Sequence, residues 1–600
     1  MLKKTILPTI LLILAYGFWV SPDFKEIAAG VSIFLFGMLF LEDGFKAFTG
    51  GVLEKLLQKT TDKTWKSLLF GVVSTSIMQS SSLVSVITIS FISAGLVTLV
   101  AGIGIIFGAN IGTTTGAWLV AAFGLKVKIS AYAMPMLVFG IVLSFQKSKY
   151  LKGAGAVLAG LGFLFLGIHY MKEGFEAFKD SFDLASLAVA GYPGLFLFAA
   201  IGAAATVVMQ SSHATLVLIL TALAASQITY ENGLALAIGA NVGTTITAII
   251  GSLSANIQGR RLAGAHLIFN IVTGVVAIAF IHQFVLAVDV VSNQVGIAAD
   301  NYTMKLAVFH TLFNLTGVLL MVPLIHRLSD FLVKSLPEKA KDLAEPLYLS
   351  DAAIEFPETV LKALKKEVWH LFDSAFEIMA HGINLHRTEI LTSPDLEKTI
   401  DNDREVNEFD MDELYESKVK ILYSAIVDFI SNSQAHMPSD FSEEMYRLRR
   451  AAGEIVECVK HIKHLRKNAT RYMLSDNEHI RDEYNNLRYQ IAMILREIYR
   501  LRGDEEFDHA IAILEMDELK AEIQSAHADL DTRVTGILRD DRITPIMATS
   551  LLNDFNYVDE TSRHLLDTAQ ALLVSHSDLV AEAAQEVVLD EDEIEKASAA

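Results

Sequence analysis

Two short motifs recur in this 600-residue chain at one constant spacing, and no other feature constrains its fold as much. The four residues MQSS at 78–81 return at 209–212. The seven-residue motif GAN(I/V)GTT at 108–114 returns at 239–245. Both matches share an offset of 131 residues, with no slip across the intervening stretch. Because two independent matches keep one register, the sequence predicts a duplicated unit.

The duplication extends upstream of the two motifs. There the offset falls by one residue, so that Gly37 matches Gly167 together with several neighbouring positions. The repeat is therefore expected from about Ser32 to Phe145 and again from about Gly162 to Val276.

The composition indicates a membrane protein with an all-α fold. Hydrophobic residues make up 52% of the chain, and its mean hydropathy is +0.40, which is high for a soluble protein. No charged residue occurs for 59 positions between Lys66 and Lys126, whereas one crossing needs about 20 residues. This stretch is rich in Gly, Ser and Thr, which are tolerated where the backbone is buried or lines a cavity. We predict a re-entrant hairpin around Gln79 to Ser82 and a crossing interrupted near Asn110 to Thr114.

The distribution of positive charge predicts the orientation of the membrane domain. Lys/Arg-rich loops face the cytoplasm, and on this basis the loops expected inside before Arg327 hold twelve Lys or Arg, against five outside. The apolar run from Ile6 to Val20 is interpreted as a retained first span. Both termini are then expected on the cytoplasmic side of the inner membrane, with Lys59 inside and Phe182 outside. The second repeat begins on the face opposite to the first, so the repeats are expected to be inverted.

Charge also divides the chain into domains. Residues 1–350 carry a net charge of +5 and residues 351–600 carry −25. The acidic part shows helical periodicity, with about six helices expected, and its charge argues against a nucleic-acid partner. The lone cysteine, Cys458, permits no intramolecular disulfide. The expected division is a membrane domain at 1–335, a linker at 336–351, a soluble helical bundle at 352–575 and an acidic tail at 576–600.

A duplicated, inverted unit with broken helices is the layout of secondary transporters, whose substrate lies where the repeats meet. Broken helices expose N–H groups that favour anions and carbonyl groups that favour cations. The glycines flanking Asn110 and Asn241 are expected to permit backbone turns. The candidate substrate and sodium ligands are the polar residues of the doubled motifs: Gln79, Ser80, Ser81, Ser82, Asn110, Thr113, Thr114, Gln210, Ser211, Ser212, Asn241, Thr244 and Thr245.

These candidate ligands are polar but uncharged. A multivalent anion held at mid-membrane without Arg or Lys needs compensation, and bound cations supply it. Oxygen ligands of this kind suit Na⁺, and neither uncharged stretch contains the acidic relay that proton pumps use. No cofactor other than the coupling Na⁺ is expected. We find no nucleophile with its base, no metal cluster and no Walker loop, so no catalytic residue and no enzyme activity are predicted.

Three histidines raise separate questions. His213 stands where the first copy has Ser82, so it either modulates the site or makes a structural hydrogen bond. The pairs His266–Asn270 and His310–Asn314 each place two polar residues on one helix face. For both pairs we expect a polar contact between helices.

The two motifs together resemble the type II sodium/phosphate cotransporter family in its bacterial form, which carries a PhoU-like cytoplasmic domain. The resemblance implies sodium-coupled uptake of inorganic phosphate, with the residues of the two Gln-Ser-Ser motifs forming the substrate and sodium sites. It also implies that the helices after residues 346–349 are PhoU-like. PhoU metal signatures are eroded here, because Asp559 is followed by Arg563, and Lys460 and His464 replace both acids of the other signature. Resident metal is therefore not expected.

The function predicted from the sequence is sodium–phosphate symport by alternating access, regulated by the cytoplasmic helical domain. Two alternatives remain open at this stage, a membrane-anchored phosphate sensor without net transport and a symporter of another oxyanion. The expected partners are inorganic phosphate, Na⁺ and the lipid bilayer. The PhoU-like domain could also mediate homo-oligomerisation or bind a regulatory partner.

Overall fold

The computed structural model describes residues 2–49, 63–124, 130–181, 189, 191–337, 345–351, 354, 356–435, 437–503 and 509–573. Within them the regular secondary structure is entirely helical, which confirms the all-α prediction. The chain divides into two compact units, Met1–Glu338 and Lys339–Ala600. Lys59, Phe182 and the acidic tail at 576–600 lie outside the described residues.

The first unit contains fifteen α-helices within the described ranges. Short π-helical and 3₁₀ turns follow α6 and α14, at Val120–Gly124 and Val322–Leu324. The α-helices are α1 Leu2–Val20, α2 Pro22–Thr49, α3 Thr64–Met78, α4 Ser81–Ser93, α5 Leu99–Gly112, α6 Thr114–Leu119, α7 Ser130–Ser144, α8 Lys149–Ser181, α9 Gly191–Met209, α10 Ser212–Ala224, α11 Tyr230–Ser252, α12 Ile257–Ala279, α13 Ile281–Gln294, α14 Tyr302–Met321 and α15 Ile325–Ser335.

Several of these helices are long and apolar enough to cross a membrane, as a multi-pass protein requires. Helix α1 covers the expected first span. The seven helical stretches that qualify within the described chain are Pro22–Phe45, Leu99–Ala122, Tyr150–Ala177, Gly191–Met209, Tyr230–Ser252, Ile257–Ala279 and Tyr302–Ser335.

The two MQSS motifs form the same turn between helices. Gln79 follows α3 and Gln210 follows α9, and both have a left-handed backbone with φ of 52°. The next residues, Ser80 and Ser211, cap α4 and α10 by accepting a hydrogen bond from a backbone N–H three residues on. A left-handed glutamine is uncommon and costs conformational energy. The hairpin predicted around Gln79 to Ser82 is therefore present, and the second copy repeats it.

Helices α3 and α5 run parallel, which shows that α4 reverses the chain between them. Gly104 lies against Ser67, and further along both helices Gly112 lies against Thr75. Helix α4 has 13 residues, a length of about 20 Å at 1.5 Å per residue. The hydrocarbon core of a bilayer is about 30 Å thick, so α4 is too short to cross it. Helices α9, α10 and α11 repeat this arrangement.

The glycines of the second motif hold these parallel helices in backbone contact. A Cβ on Gly108 would lie 2.0 Å from the carbonyl oxygen of Leu68, and one on Gly239 would lie 1.9 Å from that of Ala199. All four residues are helical. The expectation that these glycines permit turns is therefore wrong, because they permit close approach of two helices.

The interruption expected in the crossing helix is present in one copy only. Helix α5 ends at Gly112 and α6 begins at Thr114, and Thr113 between them keeps a helical φ of −61° and ψ of −24°. In the second copy α11 continues without a break through 241–245. The helical hydrogen bonding of the backbone near the motif is thus only slightly interrupted in the first copy, and it is continuous in the second.

Helices α2 and α8, which are equivalent in the repeat, pack against each other in antiparallel directions. As the residue numbers rise along α2, those of the contacting glycines fall along α8. Close approach at seven-residue intervals needs residues without side chains. The pairs, with the distance from a Cβ on the first glycine to the carbonyl oxygen of the second, are Gly30–Gly167 at 2.8 Å, Gly37–Gly160 at 2.7 Å and Gly44–Gly153 at 2.8 Å.

The second unit is also helical and has its own apolar core, which includes Phe372, Phe376 and Ile491. Arg488 is fully buried there and donates hydrogen bonds to the carbonyl oxygen of Ile383 and to the carboxylate of Asp403. Its main helices are α16 Pro357–Gly382, α17 Arg387–Thr392, α18 Leu396–Asn402, α19 Met411–Leu414, α20 Lys420–Gln434, α21 Ser439–Met473, α22 Glu478–Gly503, α23 His509–Arg539 and α24 Pro545–Leu573.

We predict that Gly239→Ala lowers the melting temperature of the detergent-solubilised protein. Its methyl group would meet the carbonyl oxygen of Ala199 at 1.9 Å, and overpacking of this kind costs about 1–3 kcal/mol. Gly233→Ala on the same helix is the matched control, since its Cβ has no neighbour within 3.7 Å. Equal melting temperatures for the two variants would contradict the packing role of Gly239.

Candidate functional site

The hairpin of the first copy directs polar groups into a small cavity. The side-chain amide of Gln79 donates to the hydroxyl of Thr115 at 3.0 Å and to the carbonyl of Ser76. Gln79 and Ser80 line a cavity of about 30 Å³, together with His213 of the second copy and apolar residues of α2, α6 and α8. The two copies therefore share this cavity.

A second, smaller cavity of about 10 Å³ lies beside the first and also joins the two copies. It is lined by Thr113 of the first copy and by Ser212, His213 and Asn241 of the second, with His310 of α14. A water molecule needs about 10–15 Å³, so neither cavity admits a five-atom oxyanion. The site is contracted in this conformation, and the surrounding helices must separate to accept a larger ligand.

Asn241 is held by a helix outside the repeats. Its side-chain nitrogen donates to Oδ1 of Asn314 at 2.8 Å, and its Oδ1 lies 3.1 Å from Nε2 of His310. The polar contact between helices expected for His310 and Asn314 is therefore present, and it fixes a motif residue. For the pair His266–Asn270 the structure shows only a bond within one helix, from the Asn270 side chain to the His266 carbonyl at 3.1 Å.

Each copy also contacts the other through a crossed pair of residues. The hydroxyl of Ser82 in the first copy lies 3.2 Å from that of Thr247 in the second. The repeat offset of 131 residues makes His213 the equivalent of Ser82, and Gly116 the equivalent of Thr247. These two equivalent residues are also in contact. A Cβ on Gly116 would lie 1.9 Å from Cε1 of His213. One contact thus occurs twice, with different residues each time.

Several of the predicted ligands point away from the cavities. The side chains of Asn110, Thr244 and Thr245 donate to carbonyl groups of their own helices, and that of Thr114 donates to the carbonyl of Ile111 in α5. Ser211 caps α10 and also donates to the sulfur of Met38. Ser81 is buried and Gln210 is exposed. The structure therefore brings together Gln79, Ser80, Thr113, Ser212, His213 and Asn241, with Ser82 bonded to Thr247.

The sequence alone does not single out Thr115, Thr247 or Gly116, and it marks Asn314 only for a contact between helices. Thr115 and Thr247 lie just after the repeated motifs, and Asn314 lies outside both repeats. One signal was available in the differences between the two copies. The side chain is larger at His213 than at its equivalent Ser82, and smaller at Gly116 than at its equivalent Thr247. A larger residue in one position and a smaller one in its partner indicate contact.

The electrostatics of the site come from helix ends rather than from charged side chains. Ser80 caps α4 and Ser212 begins α10, and these residues line two neighbouring cavities that share His213. Each N-terminus carries about half a positive charge, which favours an anion. None of the residues that line the two cavities is Asp, Glu, Lys or Arg. The arrangement can hold an oxyanion by hydrogen bonds and dipoles.

The eroded metal signatures of the second unit lie in ordinary structural contacts. Asp559 forms an ion pair with Arg563 at 2.9 Å, and Lys460 pairs with Glu457 at 2.8 Å. Asp554, just upstream, accepts hydrogen bonds from the hydroxyl of Tyr484 at 2.6 Å and from Asn468. Burial raises the pKa of Asp554. Within the described residues no three His, Cys, Asp or Glu lie close enough to hold a metal ion.

Known proteins resemble this chain over part of its length. YjbB of Escherichia coli K12, which carries the name of an inorganic phosphate export protein, is 25% identical over 364 residues, covering 60% of this chain and 64% of that protein. The Salmonella typhimurium LT2 protein of the same name is 26% identical over 363 residues, covering 60% of this chain and 64% of that protein. The chain thus spans less than two thirds of these relatives.

A third relative is matched over most of its length. YqeW of Bacillus subtilis 168, an uncharacterised protein, is 29% identical over 299 residues, covering 49% of this chain and 92% of that protein. No solved structure was found to match the chain.

A family model described as Na⁺/Pi-cotransporter matches two stretches, residues 33–173 and 194–299. Both lie within the first unit, and each contains one copy of the doubled motifs and its helix hairpin. The family resemblance drawn from those motifs is confirmed. The membrane unit of this chain belongs to the Na⁺/Pi-cotransporter family.

Proposed function

We propose that the chain carries inorganic phosphate across the cytoplasmic membrane, coupled to Na⁺, by alternating access. One observation supports this most strongly. Two half-length helices, each begun by a copy of the same motif, place N-terminal residues on neighbouring cavities that both repeats line. A transporter needs a site that both halves can reach, whereas a sensor needs only one competent half.

Phosphate fits the chemistry of these cavities. Its oxygens accept hydrogen bonds from amide, hydroxyl and imidazole donors such as Gln79, Ser212 and His213. The helix N-termini supply only partial positive charge, so a multivalent anion at this depth needs further compensation. Bound Na⁺, held by hydroxyl, amide and carbonyl oxygens, would supply it and travel with the anion. The electrostatics of the site therefore favour coupling to a cation.

Two features support an inverted relation between the repeats. The equivalent helices α2 and α8 run antiparallel, as a two-fold axis in the membrane plane requires. The crossed contacts Ser82–Thr247 and Gly116–His213 exchange under the same operation. In such folds access alternates when one repeat rocks against the other around a fixed site. The contracted cavities suit a site that opens to each side in turn.

Phosphate efflux is a second candidate direction. It is favoured by the names of the Escherichia coli and Salmonella relatives, which refer to export. A coupled carrier is reversible, and its net direction follows the sum of the sodium and phosphate gradients. Both directions use one site.

The second unit, Lys339–Ala600, is proposed to be the cytoplasmic PhoU-like domain that regulates transport or binds a partner. The proposal is supported by the family resemblance, by its helical structure and by its strongly acidic composition. The site residues all lie in the first unit. Deletion of the second unit should therefore change regulation rather than chemistry.

The central test is phosphate uptake by proteoliposomes. We expect labelled phosphate to accumulate with an inward Na⁺ gradient and not with K⁺. Gln79→Ala should reduce this uptake about tenfold or more, because a desolvated ion loses one polar partner at a cost of about 1–3 kcal/mol. Gln210→Ala tests the second copy in the same assay.

Two further variants separate the amide from the backbone at Gln79. Gln79→Gly removes the side chain and adopts the left-handed conformation freely, and we expect it to be as defective as Gln79→Ala. Gln146→Ala, an exposed glutamine between α7 and α8, is the control and should transport normally. Normal uptake by the glycine variant would show that only the turn matters.

Accessibility of single cysteines tests the topology. We expect a cysteine at Ser148 to react with an impermeant maleimide only from the cytoplasmic side, and one at Ala299 only from outside. Both positions are exposed in loops, and the native Cys458 is buried, so background labelling should be low. Labelling of both positions from the same side would contradict the predicted topology.

Truncation tests the role of the second unit. A chain that ends after Ser350 should retain sodium-dependent uptake within about twofold, since it keeps every residue of the two cavities. It also keeps the carbonyl of Leu336, which accepts two hydrogen bonds from buried Arg261, at 2.7 and 3.0 Å. Complete loss of uptake by a truncated protein that reaches the membrane would make the second unit part of the transport cycle.

A further inference from the structure

The crossed contacts of the two repeats are chemically unequal, and the inequality centres on His213. In one contact two hydroxyl groups, of Ser82 and Thr247, meet at 3.2 Å. In the other an imidazole lies on a glycine, so close that a methyl group on Gly116 would overlap the ring at 1.9 Å. The exchange of Ser for His is thus matched by an exchange of Thr for Gly.

The imidazole ring of His213 occupies the space that a side chain at position 116 would fill. The ring of His213 lines both cavities, and on another side it lies 5.9 Å from the ring of Phe34, centroid to centroid. With threonine in place of Gly116, the ring could not keep this position. The glycine is therefore required for the histidine to reach the site.

Neither ring nitrogen of His213 is hydrogen-bonded to another residue in the part of the chain that the structure describes. The other cavity-lining groups largely bond to protein: Gln79 to Thr115, Asn241 to Asn314, and His310 to Asn241. A neutral imidazole has one N–H donor and one acceptor nitrogen. A half-buried imidazole with both unused, beside two helix N-termini, is suited to bind a ligand with oxygen acceptors.

We propose that His213 is a phosphate-binding residue of this transporter and that Gly116 is the positioning residue that makes room for it. This inference rests on the proposed function. The imidazole donates its N–H to a phosphate oxygen at the junction of the two cavities. The equivalent contact joins Ser82 of the first copy to Thr247 of the second, and neither residue lines the two cavities. The two halves of the site therefore bind phosphate unequally.

Four variants test the assignment by labelled phosphate uptake in proteoliposomes at saturating Na⁺. We expect His213→Ser to raise the KM for phosphate about tenfold, as loss of a hydrogen bond to a charged group does. His213→Asn keeps a donor and should recover part of the affinity. Gly116→Thr displaces the ring and should be defective in both KM and Vmax.

The double variant His213→Ser with Gly116→Thr separates binding from packing, because it reproduces the Ser82–Thr247 pair. We expect it to regain the Vmax and the thermal stability lost in Gly116→Thr, while its KM stays about tenfold above wild type. Recovery of the wild-type KM by the double variant would reduce His213 to a packing partner of Gly116, and an unchanged KM in His213→Ser would overturn its binding role directly. Absence of sodium-dependent uptake by the wild-type protein would instead refute the proposed function.

Discussion

The arrangement of the membrane unit depends on backbone contact between parallel helices. A carbonyl oxygen of α3 lies where a side chain on Gly108 would begin, and a carbonyl of α9 lies in the same relation to Gly239. Van der Waals packing is a principal force between helices in lipid, where the hydrophobic effect is absent. These contacts hold the first arm of each hairpin against the crossing helix, so that α4 and α10 begin beside the motif of the opposite repeat. These backbone contacts therefore fix where the motif residues that line the two cavities lie.

Much of this architecture could be predicted from the sequence, and the failures have a common cause. The duplication, the hairpins at Gln79 and Gln210 and the all-α fold follow from residue patterns that are local or strictly periodic. The role of the glycines was misjudged because glycine is compatible with a turn and with close packing, and only the partner helix decides between them. Thr247 and Gly116 were missed, and Asn241 was not foreseen as the partner of Asn314, because these contacts span 73 to 165 residues, which one sequence does not display.

The site illustrates how an anion can be accommodated without a fixed cation. Two helix ends contribute partial charges that do not titrate and keep their orientation. A buried lysine or arginine would bind phosphate more tightly, but it would also hold the anion at the end of the cycle. A neutral site leaves the balance of charge to ions that arrive and depart with the substrate. Under the proposed coupling, its affinity depends on the sodium concentration on the side to which the site is open.

The interruption at Thr113 has a consequence for the energetics of the cycle. The first copy divides its crossing helix into α5, α6 and a π-helical turn at Val120–Gly124, whereas the second keeps α11 whole. If inward-facing and outward-facing states arise when the repeats exchange shapes, identical copies would make those states equal in energy. A copy with an interrupted helix and a copy with a continuous one cannot exchange conformations at equal free energy. In the proposed mechanism, the resting orientation of the empty carrier is therefore set by the sequence itself, before any gradient acts on it.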